Sequence, residues 1–262
     1  MLLFLKLGGS LITHKDKPFT ARVDVIKRLV DEIHIALTDN PDLQLIIGHG
    51  SGSFGHVAAK EFGTRDGVQT PEQWKGFLEV WKAARVLNEI VMNFFYEARL
   101  PVISFSPSSS AISTNHRVAN WQITPIQKSL MNGLIPVVHG DVVFDMKIGG
   151  SILSTEELFL HLAIMLSPNK VLIAGIDQGV WEDFPINTSL IETIHASVES
   201  NHPSLTGSHA PDVTGGMAEK VAILKQLVIA TPTCQAMIFS GEKDGNVLSA
   251  LKGDILGTTI RA

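Results

Sequence analysis

Lys6-Leu7-Gly8-Gly9-Ser10 places a lysine at the end of an apolar run and two glycines where the chain must turn. Without Cβ atoms, Gly8 and Gly9 let backbone N–H groups approach an anion closely, and the lysine supplies countercharge. A plain strand-ending turn is the alternative reading. His49-Gly50-Ser51-Gly52-Ser53-Phe54-Gly55-His56 repeats the pattern after a second apolar run, where a helix is expected to open. His56 could donate a hydrogen bond to a substrate phosphate, or it could cap and pack the helix start. Asp212-Val213-Thr214-Gly215-Gly216-Met217, followed by Lys220, sets two glycines before a helix and a lysine one turn inside it. That again matches a phosphate-facing helix start, with a solvated lysine on an amphipathic helix as the alternative. Three such segments, two of them carrying lysines, point together to phosphate chemistry. None is a Walker A loop or a dinucleotide fingerprint: the second lacks the Gly-Lys-Ser/Thr ending, and no G-x-G-x-x-G follows the first apolar run.

These loops need a frame. Short apolar runs at residues 3–7, 43–47, 102–105, 135–138, 171–174 and 236–239, bounded by glycine or proline, read as buried strands. Between them, residues 23–37, 72–98, 155–166 and 217–229 carry helical spacing. Alternating strand and helix predicts a doubly wound, mainly parallel sheet. Residues 142–153, with Asp145-Met146-Lys147 and then Gly149-Gly150, read as a two-stranded flap. Residues 106–120 and 201–214 read as ordered loops near a site. A mild boundary near residue 165 separates an expected acceptor-binding lobe (1–165) from a nucleotide-binding lobe (166–262), packed as a single domain over 1–262.

With 262 residues and 45% of them hydrophobic, the chain can bury a substantial core. A net charge of −5 gives no general field for nucleic acid or an anionic membrane, so an anionic ligand must be met by local lysines and backbone amides. The single cysteine, Cys234, cannot form an internal disulfide, which suits a reducing, cytoplasmic setting. The apolar run at residues 2–7 is too short for a secretory core or a membrane span.

The three glycine segments, together with His139-Gly140-Asp141-Val142-Val143 and Gly175-Ile176-Asp177-Gln178-Gly179-Val180, resemble the amino acid kinase superfamily over nearly the whole chain. Within it the chain is most similar to the isopentenyl phosphate kinases, through Ser53-Phe54-Gly55-His56 and the Gly-Asp-Val-Val stretch. The resemblance implies a three-layer αβα sandwich with a β-hairpin flap, ATP and Mg²⁺ as cofactors, a small phosphomonoester as acceptor, and a homodimer. It implies that Lys6 and Lys220 contact ATP phosphates, that Lys15 stabilises the transferring phosphoryl group, and that His56 binds the acceptor phosphate. Gly8, Gly9, Ser10, Gly52, Asp177, Gly179 and Gly216 fall at its nucleotide positions, and Ser51, Gly55, Gly140 and Asp141 at its acceptor positions. No protein metal site is implied. Three departures stand out: Gly175 where relatives carry an aspartate, Trp181 where they carry a tyrosine, and Glu156 where they carry an aspartate that holds the lysines. Glu156 could equally serve as a helix N-terminal acid, with Ser154 or Thr155 as cap.

Such a kinase passes the γ-phosphoryl group of ATP in line to a phosphate oxygen, and a phosphate acceptor needs no general base. Trp74, Phe77, Val80 and Trp81 would either line an apolar tail pocket or form a core-facing helical stripe. Fosfomycin kinases and other small-molecule kinases of the same fold are alternatives. A nucleotide-binding sensor without turnover is an alternative from another class.

Overall fold

The computed structural model describes residues 1–197 and 216–262. The chain runs β1 (Leu2–Leu7), α1 (Gly9–Ile12), α2 (Val23–Asp39), β2 (Gln44–His49), α3 (Gly52–Phe62), α4 (Pro71–Glu97) and β3 (Val102–Phe105). It continues through β4 (Ala111–Thr114), β5 (Arg117–Trp121), α5 (Thr124–Met131), β6 (Ile135–His139), β7 (Asp141–Asp145), β8 (Gly149–Leu153) and α6 (Thr155–Leu166). The remaining elements are β9 (Lys170–Gly175), β10 (Thr193–His195), α7 (Gly216–Ala230), β11 (Gln235–Ser240), α8 (Asn246–Lys252) and β12 (Thr258–Arg261).

An eight-stranded sheet in the order β10-β12-β11-β9-β1-β2-β6-β3 forms the middle layer. Neighbouring strands are parallel except for β11 and β12, which run against each other. The expected fold class therefore holds, and the strand and helix positions read from apolar spacing recur within a few residues. β1 is central: Leu5 pairs with Ile47 on one side and Leu172 on the other, so one continuous ladder crosses residue 165. Alternate β1 side chains feed opposite layers. Leu3, Leu5 and Leu7 join α1, α2 and α4 on one face, while Phe4 joins Phe159, Leu162 and Leu224 on the other. Each such side chain, fully buried, contributes about 1.5–3 kcal/mol.

Helix starts follow their sequence signals. Thr70 and Gln73 form a capping box with Pro71 in the first turn of α4, and Ser154 and Glu157 form one on α6.

Two expectations are corrected. Residues 106–120 are not a loop: they include β4 and β5, which pair across a turn at Asn115 and His116, both at positive φ. The β7–β8 flap is not two-stranded, because β4 pairs with β7 to give a separate sheet in the order β5-β4-β7-β8. Asp145 holds that sheet's two turns together, accepting from Ser113 Oγ (2.8 Å) and from the backbone N–H groups of His116, Lys147 and Ile148. Burial opposes its ionisation, but these four donors outweigh it and hold the carboxyl at about 2. The reading of residues 201–214 as an ordered loop lies outside the described residues.

Candidate active site

β1, β2 and β9 all deliver their C-terminal ends to one edge of the main sheet, where chain turns leave backbone amides exposed. Gly8 N–H donates to the Ala174 carbonyl at 2.8 Å, fixing the first turn to the end of β9. Gly50 N–H donates to Leu7 O at 3.1 Å, fixing the second turn to the end of β1. The two turns meet backbone to backbone: a Cβ on Gly9 would overlap the Gly52 nitrogen, and one on Gly50 would lie 2.8 Å from the Gly9 nitrogen. Gly52 itself has φ +48°, a conformation open to glycine. Thr13, which sequence reasoning missed, links them. Its hydroxyl donates to Gly9 O at 2.7 Å and accepts from Ser53 N–H at 3.0 Å. The signal was present as a hydroxyl four residues after Gly9, on the next turn of the chain.

A cavity of about 380 Å³ opens on these turns. Lys6, Gly8, Gly9, Ser10, Lys15, Ser51, Gly52, His56, Gly140, Asp177, Gly179, Gly216 and Lys220 all line it. Two expected site residues do not. Gly55 is buried behind Ser51, where a Cβ would lie 2.5 Å from the Ser51 hydroxyl oxygen, and Asp141 is buried behind Gly140. Of the third glycine segment, Asp212, Val213, Thr214 and Gly215 lie outside the described residues. Trp74, Phe77, Val80 and Trp81 pack with Ala58, Val68, Val142 and Ile152 in a satellite cluster. Of these residues it is Ile152, on β8, that reaches the cavity wall.

Lys6 and Glu156 form a buried ion pair at the cavity floor, with side chains 8% and 3% exposed. Burial opposes a charge on Glu156, but Lys6 and Lys220 together hold its carboxyl below the ordinary range. Capping belongs to its neighbours: Ser154 accepts from Glu157 N–H, and the Glu157 carboxylate accepts from Ser154 N–H at 2.6 Å. Glu156 is thereby left to the lysines.

Lys15 stands on the exposed loop of residues 14–20, which returns to the body through the Thr13–Ala21 bridge. Phe19, at its far end, packs edge-on against Phe54 of α3, with ring centroids 5.6 Å apart. Across the cavity, Val180 N–H donates to Thr258 Oγ1 at 2.8 Å, and Thr258 donates to Ile191 O at 2.6 Å, fixing the turn that carries Asp177 and Gly179. Gly175 is open by contrast: a Cβ there would meet only the Asp177 nitrogen, at 3.9 Å.

Behind the wall lies a buried polar layer. The His49 and His139 rings stack 5.3 Å apart, and His139 Nε2 lies 3.8 Å from Asp141 Oδ2. Burial, with a smaller contribution from His49, lowers His139 to about 3, so its ring is neutral. Burial also pushes Asp141 up to about 7, despite hydrogen bonds from Ser108 and Val142 N–H. The His49 carbonyl accepts from Thr155 Oγ1 (2.7 Å) and Gly140 N–H (3.1 Å), joining α6 and the Gly140 turn to β2.

Lysines, an imidazole and backbone amides around one cavity can bind and neutralise several phosphates at once. The profile of the amino acid kinase family matches residues 1–240. The chain belongs to the amino acid kinase family. Among relatives of this amino acid kinase, the isopentenyl phosphate kinase of Methanocaldococcus jannaschii is 32% identical, with 99% of this chain and 98% of that one covered. The isopentenyl phosphate kinase of Methanothermobacter thermautotrophicus is 31% identical over the same shares. A crystallographic isopentenyl phosphate kinase superposes with a TM-score of 0.84 at 29% identity, over 99% of this chain and all of the other. Family and relatives make this chain an ATP-dependent kinase. Among the described residues no helix is long and apolar enough to cross a membrane.

Proposed function

We propose that this kinase transfers the γ-phosphoryl group of ATP to isopentenyl phosphate, forming isopentenyl diphosphate and ADP. The observation that carries the reading is that His56 lines the same cavity as Lys6, Lys15 and Lys220, so an acceptor phosphate at α3 would sit among the cations that meet ATP. The names borne by its full-length relatives support the same substrate.

In this mechanism a bond forms between the γ-phosphorus and an acceptor phosphate oxygen. The bond to the β–γ bridging oxygen breaks, and its electron pair leaves with ADP. The acceptor phosphate is already ionised near neutral pH, so no protein base is required. Lys6 and Lys220 hold the ATP phosphates with the backbone of Gly8, Gly9, Ser10, Gly52 and Gly216, while Asp177 and Gly179 hold the nucleoside end. Lys15 meets charge that develops on the transferring group. His56, Ser51 and Gly140 bind the acceptor, and Gly55 and Asp141 shape that wall from behind.

Mg²⁺ is proposed to arrive on the ATP phosphates. Among the described residues no three His, Cys, Asp or Glu side chains converge as a metal site, and Asp177 is the carboxylate in the cavity lining. That donor set suits an ion that keeps phosphate and water oxygens rather than a protein cage. When bound, it would neutralise charge shared between the β- and γ-phosphates.

Residues 1–165 would then serve as the acceptor lobe and 166–262 as the nucleotide lobe of a cytoplasmic homodimer. The test is ADP release with ATP and Mg²⁺ on isopentenyl phosphate, dimethylallyl phosphate, fosfomycin, UMP, acetylglutamate and carbamate. Turnover confined to the prenyl phosphates supports the proposal. Turnover only with another acceptor overturns the substrate, and ATP binding without any turnover favours a sensor.

A further inference from the structure

Arg65 lies outside the cavity lining, on the turn between α3 and α4, and its guanidinium forms an ion pair with Glu219 of α7. Glu219 directly precedes Lys220. We propose that Arg65 is a positioning residue that holds the first turn of α7, and with it Lys220, against the acceptor wall. The proposal rests on the reaction proposed above for the role of Lys220.

Two sets of contacts carry it. On one side, the Arg65 backbone is fixed to the smaller sheet. Ser151 Oγ on β8 donates to Arg65 O at 3.1 Å and lies 2.7 Å from His116 Nδ1, and Val68 N–H donates to Ile148 O at 2.8 Å. Ser151 is fully buried, so this anchor is part of the packed wall. On the other side, the later turns of α7 are fixed by buried Val221, Leu224, Leu227 and Val228, whereas residues 217–220 are half-buried. The Arg65–Glu219 contact therefore acts on a half-buried turn, the one where Lys220 sits. The pair is itself only partly exposed, at 18% and 33%. Burial raises the pKa of Glu157 of α6, and among the smaller influences Arg65 lowers and Glu219 raises it, so both members of the pair lie near the helix that carries Glu156.

A contact that aligns a phosphate-binding lysine should act on turnover more than on acceptor binding, since small misplacements at a reacting centre cost rate steeply. The experiment compares wild type, Arg65→Ala, Glu219→Gln and the exchanged pair Arg65→Glu/Glu219→Arg. It uses steady-state kinetics with whichever acceptor the wild type phosphorylates, and hydrogen exchange of peptides spanning residues 216–230. We expect each single variant to lose about ten-fold or more in kcat, with the acceptor KM changed by less than about two-fold. Exchange should rise in the first turn of α7, and the exchanged pair should recover most of the rate. Unchanged kcat, an exchanged pair no better than the singles, or α7 exchange that does not move would each overturn the proposal. If the wild type ignores isopentenyl phosphate, the substrate reading fails, while the exchange data and kinetics on its true acceptor still decide the role of Arg65.

Discussion

Glu156 is buried against Lys6 and lies within the field of Lys220, so one carboxylate organises two cations at the cavity floor. Glu156→Gln keeps the shape and removes the counter-charge that Glu156 gives Lys6. Removing one partner of a buried pair costs about 3–5 kcal/mol, so the variant should lose stability on that scale in urea melts and lose most of its turnover. Because the folded carboxyl is held below its ordinary value, the wild-type pair contributes fully above that ordinary value. Its contribution is lost only as pH falls through the lower folded value. Glu156→Gln should therefore show a stability deficit at neutral pH that narrows in acid.

Lys15 and His56 should separate in kinetics. Lys15 stands on an exposed loop and is assigned to the transferring group, so Lys15→Ala should lower kcat about 100-fold or more with little change in either KM. His56→Ala should raise the acceptor KM and leave ATP affinity within about two-fold. Equal losses of ATP affinity in both variants would remove the distinction.

Asp141 predicts a pH effect of opposite sign to Glu156. Its folded carboxyl titrates at about 7, above the ordinary 3.8, so the native state holds a proton that the unfolded chain releases. Stability from this group is full below pH 3.8, falls as pH rises, and is gone above about 7. Buried neutral His139 works the other way in acid, so the wild type alone does not isolate the effect. Asp141→Asn should gain stability relative to wild type as pH rises from about 5 to about 7 in paired denaturation curves. A constant difference across that range would count against the assignment.

Gly9 and Gly175 make a contrasting pair. Gly9→Ala would drive a Cβ into the Gly52 backbone, an overpacking that costs about 1–3 kcal/mol and should abolish ATP binding by parting the two turns. At Gly175 an added Cβ makes only an ordinary contact, 3.9 Å from the Asp177 nitrogen, so Gly175→Asp should leave the melting temperature nearly unchanged. Calorimetric ATP titration of both variants checks the contrast.

The main sheet was legible because its central strands are buried on both faces and so appear as unbroken apolar runs. The smaller sheet was not. β4 and β5 are short, mixed in polarity and partly exposed, and β4 is held by Asp145 across the fold rather than by any local signal. β10, α8 and β12 form a short edge ladder and a seven-residue helix, too brief for periodicity to declare them. At the site, glycine and lysine positions could be read because their chemistry is local. The roles of Thr13 and Arg65 depend on partners 40 and 154 residues away, and only the fold reveals them. For Glu156 the resemblance offered lysine-holding beside helix capping, and its contact with Lys6, 150 residues away, decides between them.

The smaller sheet shares no strand with the larger one. Ile152 and Leu153 are nevertheless its contribution to the cavity wall, while the glycine turns and Lys6 belong to the larger sheet. On the reaction proposed above, phosphate handling and contact with the rest of the acceptor would rest on separate hydrogen-bonded frameworks. With that division, mutations that reshape β4, β5, β7 or β8 would alter which molecule is phosphorylated without breaking a ladder of the larger sheet, and a lineage could exchange substrates while keeping its chemistry.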